Sequence, residues 1–310
     1  MKLYEVRTMR LFRTELYKLC HSKISIMGLL VMLGILFIDY GEIQGIKANI
    51  VETEYGYLQT RWILFSANYA VTMMGLGVVL LCMISTVFSH EEQTKMKPLL
   101  LTTPEGPSKD VRAKIAAAYT VSILLWSVTT LIVLLFHVTA FGLNGLELSA
   151  GDVIWHTTDF GVFAQPLGLY LAEVISVNFL AILELCAITL AVSATSRSTF
   201  HSLCVSVLCI LLPIFAIYMI RGSYPFYLSV ISNPTLILTV WSFILLFFQC
   251  LTYSAPFFLV WRDILIEISA ISIGNHGETG TILFTVALGC IVTILCIIKS
   301  YRRYQKPYDS

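Results

Sequence analysis

Charge is what this chain has least of. Only 13% of its 310 residues are Asp, Glu, Lys or Arg, about half the share of an average soluble domain. A soluble protein of this length could bury a large core, but it would need charged surface to stay dissolved. That scarcity excludes the soluble globular class. The motifs of common catalytic sites are missing too. The eight cysteines show no Cys-x-x-Cys spacing, and most fall in apolar runs, where cysteine behaves as a small apolar residue. Cys250 alone could sit on the outer side, so no outer disulfide framework is expected. His90-Glu91-Glu92 opens like a zinc-protease motif, but Thr94 stands where the second His ligand would be. There is no Gly-x-Ser-x-Gly elbow. No Gly-rich loop leads to Gly-Lys-Ser/Thr, and the glycine cluster at 274–280 lacks the Lys. No enzymatic activity, cofactor, metal or nucleic-acid partner is therefore expected of this chain. ATP, if it is used, is bound by another polypeptide.

What is present is apolar length. Hydrophobic residues make up 57% of the chain and the mean hydropathy is +0.81. Six runs approach or exceed the roughly 20 residues that cross a bilayer: 24–39, 62–88, 115–141, 166–194, 200–220 and 281–298. The first is short, and the polar helix before it is expected to supply the extra turn. A seventh run, 236–261, is nearly as apolar, so charge must decide the number of spans. With six spans and a cytoplasmic start, the inner segments 1–23, 89–114, 195–199 and 299–310 carry 16 of the 20 Lys and Arg. That asymmetry follows the positive-inside rule. Counting 236–261 as a span would move Lys299, Arg302, Arg303 and Lys306 outside. It is read instead as a re-entrant or surface-lying helical pair broken near Pro256, within an outer region covering 221–280. The expected fold is one all-α integral membrane domain over 1–310. It has six spans, seven being the rival, with both termini cytoplasmic and the plasma membrane as its location. Pro213 is expected to kink the fifth span.

The first 23 residues lack the early apolar core of a signal peptide. From Arg7 onward, Met9, Phe12, Leu16 and Leu19 fall on one helical arc, and Arg7, Arg10 and Lys18 on the opposite one. That pattern describes an amphipathic helix lying at the cytoplasmic interface, or more simply a basic anchor.

The most informative stretch is the charged island 89–114. An acidic pair, Glu91 and Glu92, follows a span. Lys95 and Lys97 come next, then Leu99, Leu100 and Leu101, a turn at Thr102–Pro107, and Lys109, Arg112 and Lys114 at the opening of the next span. A plain connector between two spans needs neither the charge nor the leucines. An exposed apolar cluster marks a partner or a lipid surface.

In that order of residues the island resembles the first cytoplasmic loop of the permease subunits of ABC-2-type ATP-binding-cassette exporters. Members commonly carry an acidic residue after the second span, a leucine-rich short helix, a Ser/Thr-Pro or Ser/Thr-Lys-Gly turn, and a Lys that starts the third span. Here those places fall to Glu91 or Glu92, to Leu99–Leu101, to Thr103-Pro104 with Gly106, and to Lys114. Pro107 departs from the pattern, in which a basic residue often stands nearby. The basic interfacial helix and the outer re-entrant region extend the resemblance as architecture. The resemblance implies a coupling helix that docks on a separate ATPase subunit, the leucines anchoring it and Glu91, Glu92, Lys95 and Lys97 orienting it. It also implies a second permease copy or a paralogous permease as partner, and export of a drug, peptide, lipid or glycan precursor.

Glu173 and Glu184 are eleven residues apart in the fourth apolar run, within about 20° of each other on a 3.6-residue helix. Carboxylates at membrane depth are costly and face a bundle interior or a wet cavity. This face either lines a translocation path or makes structural hydrogen bonds to a neighbouring helix. Two rivals to a permease stay open. An intramembrane enzyme would need converging His/Glu pairs, and His137, His156 and His276 have no recognisably spaced partners. A membrane scaffold or sensor would use the island to bind a regulator.

Overall fold

The computed structural model describes residues 2–49, 54–96, 106–149, 166–209, 211 and 278–305. Among them the chain is almost wholly helical, without strands. The helices are α1 (Lys2–His21), α2 (Lys23–Asn49), α3 (Glu54–Ile84), α4 (Thr86–Gln93), α5 (Gly106–Phe141), α6 (Leu167–Thr195), α7 (Thr199–Cys209) and α8 (Glu278–Gln305). Four stretches are long and apolar enough to cross a membrane: Lys23–Gly45, Asn68–Gln93, Ser108–Phe141 and Leu167–Thr195. The protein is built as a membrane-embedded helical bundle. The sixth apolar run lies within α8. The fifth run beyond 211, Pro213 and the outer region 221–280 lie outside the described residues.

Burial sorts the helices into layers. α3 and α6 are central and carry the best-buried side chains, Met73, Leu76 and Leu80 on the first and Cys186, Ala187 and Leu190 on the second. α2 lies outside them, with Met27, Leu30, Phe37 and Ile38 exposed on an apolar face. A helix that is apolar all round and uncovered on one side suits hydrocarbon rather than water. Glycine lets α2 and α3 approach closely: a Cβ at Gly75 would meet Ile35 Cδ1 at 2.5 Å. Small residues at such contacts are how membrane helices gain packing without a hydrophobic drive between them. Buried polar pairs add to it. Thr72 of α3 donates to the Asp39 carboxylate of α2. Trp126 Nε1 of α5 donates to Asn178 Oδ1 of α6 at 2.9 Å, and Tyr69 Oη of α3 reaches the same oxygen at 3.4 Å.

α5 has 36 residues, about 54 Å at 1.5 Å per residue, well beyond the ~30 Å hydrocarbon core. It starts at Gly106, earlier than the span expected from 115, with Pro107 in the first turn, where a missing N–H costs nothing. It stops at Gly142, whose φ of +77° and N–H bond to the Val138 carbonyl at 2.8 Å form a left-handed cap. The chain then folds back so that Leu167 and Gly168 donate to the Leu148 and Leu146 carbonyls at 2.8 and 2.9 Å, seating the start of α6.

One expectation is corrected. The first span does not borrow a turn from the helix before it. α1 ends at His21, Ser22 interrupts, and Ser22 Oγ receives the Ser25 N–H at 3.1 Å as a cap for α2. The extra length comes from the other end, where α2 runs on to Asn49. The inward side of α1 keeps three of the four residues of the expected apolar arc and adds Glu15. Leu19 and Glu15 are buried, Phe12 and Leu16 pack on the core, and Met9 is 70% exposed. Glu15 turns inward because a cation on α5 waits there.

Candidate functional site

The island begins as helix and ends as helix. Glu91 and Glu92 lie in the last turn of α4. Thr94 and Lys95 close that helix with a double cap: Met96 N–H bonds the Glu91 carbonyl at 2.9 Å and Lys95 N–H bonds the Glu92 carbonyl at 3.1 Å. This six-to-one, five-to-two pattern needs a left-handed residue at the position of Lys95, and Lys95 has φ +56°. Its side chain is exposed. Lys97, Leu99, Leu100, Leu101, Thr103 and Pro104 lie outside the described residues.

Lys114 is the centre of the described part. Its side chain has no exposed surface, an uncommon state for lysine. Its Nζ lies 2.6 Å from each oxygen of Asp110, 2.9 Å from Glu91 Oε1 and 3.6 Å from Glu15 Oε1. Glu15 also takes a 2.6 Å bond from the exposed ammonium of Lys18. A buried ammonium without partners would be strongly destabilising, and this one is surrounded by opposite charge. One cation thereby joins α1, α4 and α5. Sequence reasoning placed Glu91 on the docking face of a cytoplasmic loop and Lys114 at a helix start; the structure brings the two together. The i, i+4 spacing of Asp110 and Lys114 was the one local signal of the cluster.

Further contacts tie the same end of the bundle. Thr199 donates to Gln93 Oε1 from its hydroxyl at 3.0 Å and its N–H at 3.4 Å, linking the end of α4 to the start of α7. The Arg112 guanidinium sits 6.0 Å above the Tyr301 ring, linking the start of α5 to the end of α8. α1, both ends of the island, the 195–199 connection and the C-terminal turns of α8 therefore meet at one end of the molecule. These are the four segments that the charge count grouped together.

Glu173 and Glu184 are carried on α6, and Glu184 is turned to α8. Glu173 is half-buried. Glu184 is 1% exposed, and neither of its oxygens has a hydrogen-bond partner among the described residues. Across from it stands Gly289 of α8, where a Cβ would lie 3.1 Å from Glu184 Oε2. Beside that contact runs an apolar groove of about 170 Å³ lined by Val177, Leu180 and Leu183 of α6 and Val286, Gly289, Cys290, Thr293 and Ile294 of α8. Sequence reasoning found the Glu face and missed Gly289, whose part shows only when the two helices are packed.

Among the described residues no group of three His, Cys, Asp or Glu side chains is arranged to hold a metal ion. No family model matches this chain, and no curated protein matches it in sequence.

Proposed function

We propose that this chain is the membrane-spanning permease subunit of an ABC-2-type exporter, coupling ATP hydrolysis on a separate ATPase subunit to movement of a substrate across the plasma membrane. The observation that carries this reading is the gathering of the four basic-rich segments at one end of the bundle, with the charged island braced at both of its ends. Glu91 and Lys114 hold the island's flanks together, so the leucine-bearing segment 97–105 leaves from a stiff base. Force applied to such a segment is passed to α1, α4 and α5 together instead of being lost in a slack loop. A generic connector has no use for that stiffness.

On this reading the braced end is cytoplasmic. The chain spans six times, 221–280 forms the outer region, and a second permease copy or a paralogous permease completes the pathway. Leu99, Leu100 and Leu101 anchor the ATPase, Pro104 shapes the turn that follows, and Glu92 and Lys95 orient the docking. ATP and Mg²⁺ are held by the ATPase. Glu173 and Glu184 border the path between α6 and α8. The class of substrate is a drug, peptide, lipid or similar molecule.

The test is co-purification with the ATPase encoded beside this gene, before and after Leu99, Leu100 and Leu101 are replaced together by Ser. Association and ATP-dependent export should be present in the parent and lost in the triple variant. A parent that binds no ATPase, or a variant that still exports, removes the reading.

A further inference from the structure

α3 and α4 would be one helix but for the joint at Ser85. In an unbroken helix the Ser89 amide donates to the Ser85 carbonyl and the Phe88 amide to the Ile84 carbonyl. Here both amides donate to Ser193 Oγ of α6, each at 3.1 Å. The Ser193 hydroxyl in turn donates to the Ser85 carbonyl at 2.8 Å, and the Ser89 hydroxyl bonds that same carbonyl. The hydroxyl of α6 thus replaces a helical hydrogen bond, accepting the amide protons on one side and giving its own proton to the carbonyl on the other. Ser85, Ser89 and Ser193 are all buried. A side chain inserted into the helical ladder is a recognised cause of a helix break, and neither proline nor glycine is present at this one.

Each of these groups has a second partner at hand. If the Ser193 hydroxyl withdrew, the Ser89 amide and the Ser85 carbonyl would close the ordinary bond across the joint, and Phe88 would bond Ile84. Ser193 would then turn to the carbonyl four residues back, that of Thr189. Thr189, Thr195 and Ser196 on the same helix already bond in this way, at 2.8, 3.1 and 2.7 Å. In either arrangement the Phe88 and Ser89 amides, the Ser85 carbonyl and the Ser193 hydroxyl all keep a partner, so none of these four carries the ~1–3 kcal/mol that a buried orphan costs.

We propose that Ser85–Ser89 is a two-register hinge and that Ser193 is the latch selecting its interrupted register, making Ser193 a positioning residue for α4. The inference goes beyond the coupling reading and stands without it, since it concerns how α4 is held and not what the island touches. α4 has eight residues, about 12 Å of helix. A change of roughly 20° at its base, the scale of a sharp kink, carries its far end about 4 Å. Such a swing must also slide Glu91 past Lys114 and Gln93 past Thr199.

The experiment uses the full chain in lipid nanodiscs, with nitroxide labels on Thr94→Cys and Leu143→Cys, both exposed sites, and the native cysteines replaced. The 94–143 distance is read by electron–electron resonance, and amide exchange at Phe88 and Ser89 by mass spectrometry. Ser193→Ala should move the distance by about 4 Å while both amides stay protected, because the second register takes them up. Ser193→Thr, which keeps the hydroxyl, should hold the parent distance. An unmoved distance, or amides exchanging more than about tenfold faster in Ser193→Ala, overturns the proposal, since Ser193 would then be a simple wedge or no constraint at all. Should Ser193→Ala not fold, Ser193→Cys keeps the volume with a far weaker donor and acceptor, and the same two readings decide.

Discussion

Glu91 Oε1 and Lys114 Nζ stand 2.9 Å apart, although nearly the whole charged island separates them in sequence. The pair closes the island into a loop whose ends cannot drift apart without exposing a buried charge. It also fixes α4 against α5, and through Glu15 it draws α1 into the same joint. At this end the ionic cluster adds to apolar packing, in which Leu19 of α1, Val87 of α4 and Val111 of α5 belong to one core.

Replacing Lys114 with Met should therefore be severe. The aliphatic stem is conserved, but three carboxylates are left facing one another without their cation. Removing one partner of a buried ionic group costs on the order of 3–5 kcal/mol. Thermal unfolding of detergent-solubilised protein should show a large fall in Tm for Lys114→Met, partly recovered by adding Glu91→Gln and Asp110→Asn. A Tm unchanged in the single variant would mean the cluster bears no load.

Much of this was legible in the sequence as pattern and little as pairing. Apolar length gave the helices, because a bilayer demands about 20 such residues whatever their neighbours. The island stood out because charge is so scarce elsewhere. The eleven-residue spacing put Glu173 and Glu184 on one face of α6. What could not be read was which face meets which. Glu15 lay off the apolar arc of α1, and only the position of Lys114 on α5 explains its burial. Ser193 looked like any serine in a span, and the break it occupies carries no proline or glycine to announce it. Such contacts depend on the relative rotation of two helices, which no local pattern encodes.

Lys95 is held at φ +56°, a conformation in which a side chain costs about 1 kcal/mol relative to glycine. Lys95→Gly should raise unfolding stability by about that amount. If Lys95 also orients docking, the same variant should bind the ATPase more weakly at low salt, with the difference fading as salt screens it. Chemical denaturation and pull-down at two ionic strengths separate the effects. A variant less stable than the parent would contradict the cap geometry.

The side of the membrane can be checked directly. If the four tied segments lie at the cytoplasmic face, as proposed, a cysteine placed at Pro307 should resist an impermeant maleimide added to intact cells and react once the membrane is opened. Reaction in intact cells would put the end of α8 outside and favour seven spans.

Glu184 offers a choice between stability and use. Its carboxyl is buried against Gly289 with no hydrogen-bond partner among the described residues, and a buried polar group left so costs about 1–3 kcal/mol. Glu184→Met, of similar volume, should raise Tm. If the carboxyl borders a substrate path, the same change should lower export while ATPase association persists, because the docking segment proposed above is not carried on α6. Gly289→Val presses on the same carboxyl from the other helix, since even a Cβ there would come within 3.1 Å of Glu184 Oε2. It should lower Tm, and adding Glu184→Ala should restore part of the loss by clearing the space. Additive effects in that double variant would show that the two residues do not meet. A Glu184→Met protein that is more stable and exports normally would reduce the carboxyl to a packing defect, and the path would have to be sought on another face of the bundle.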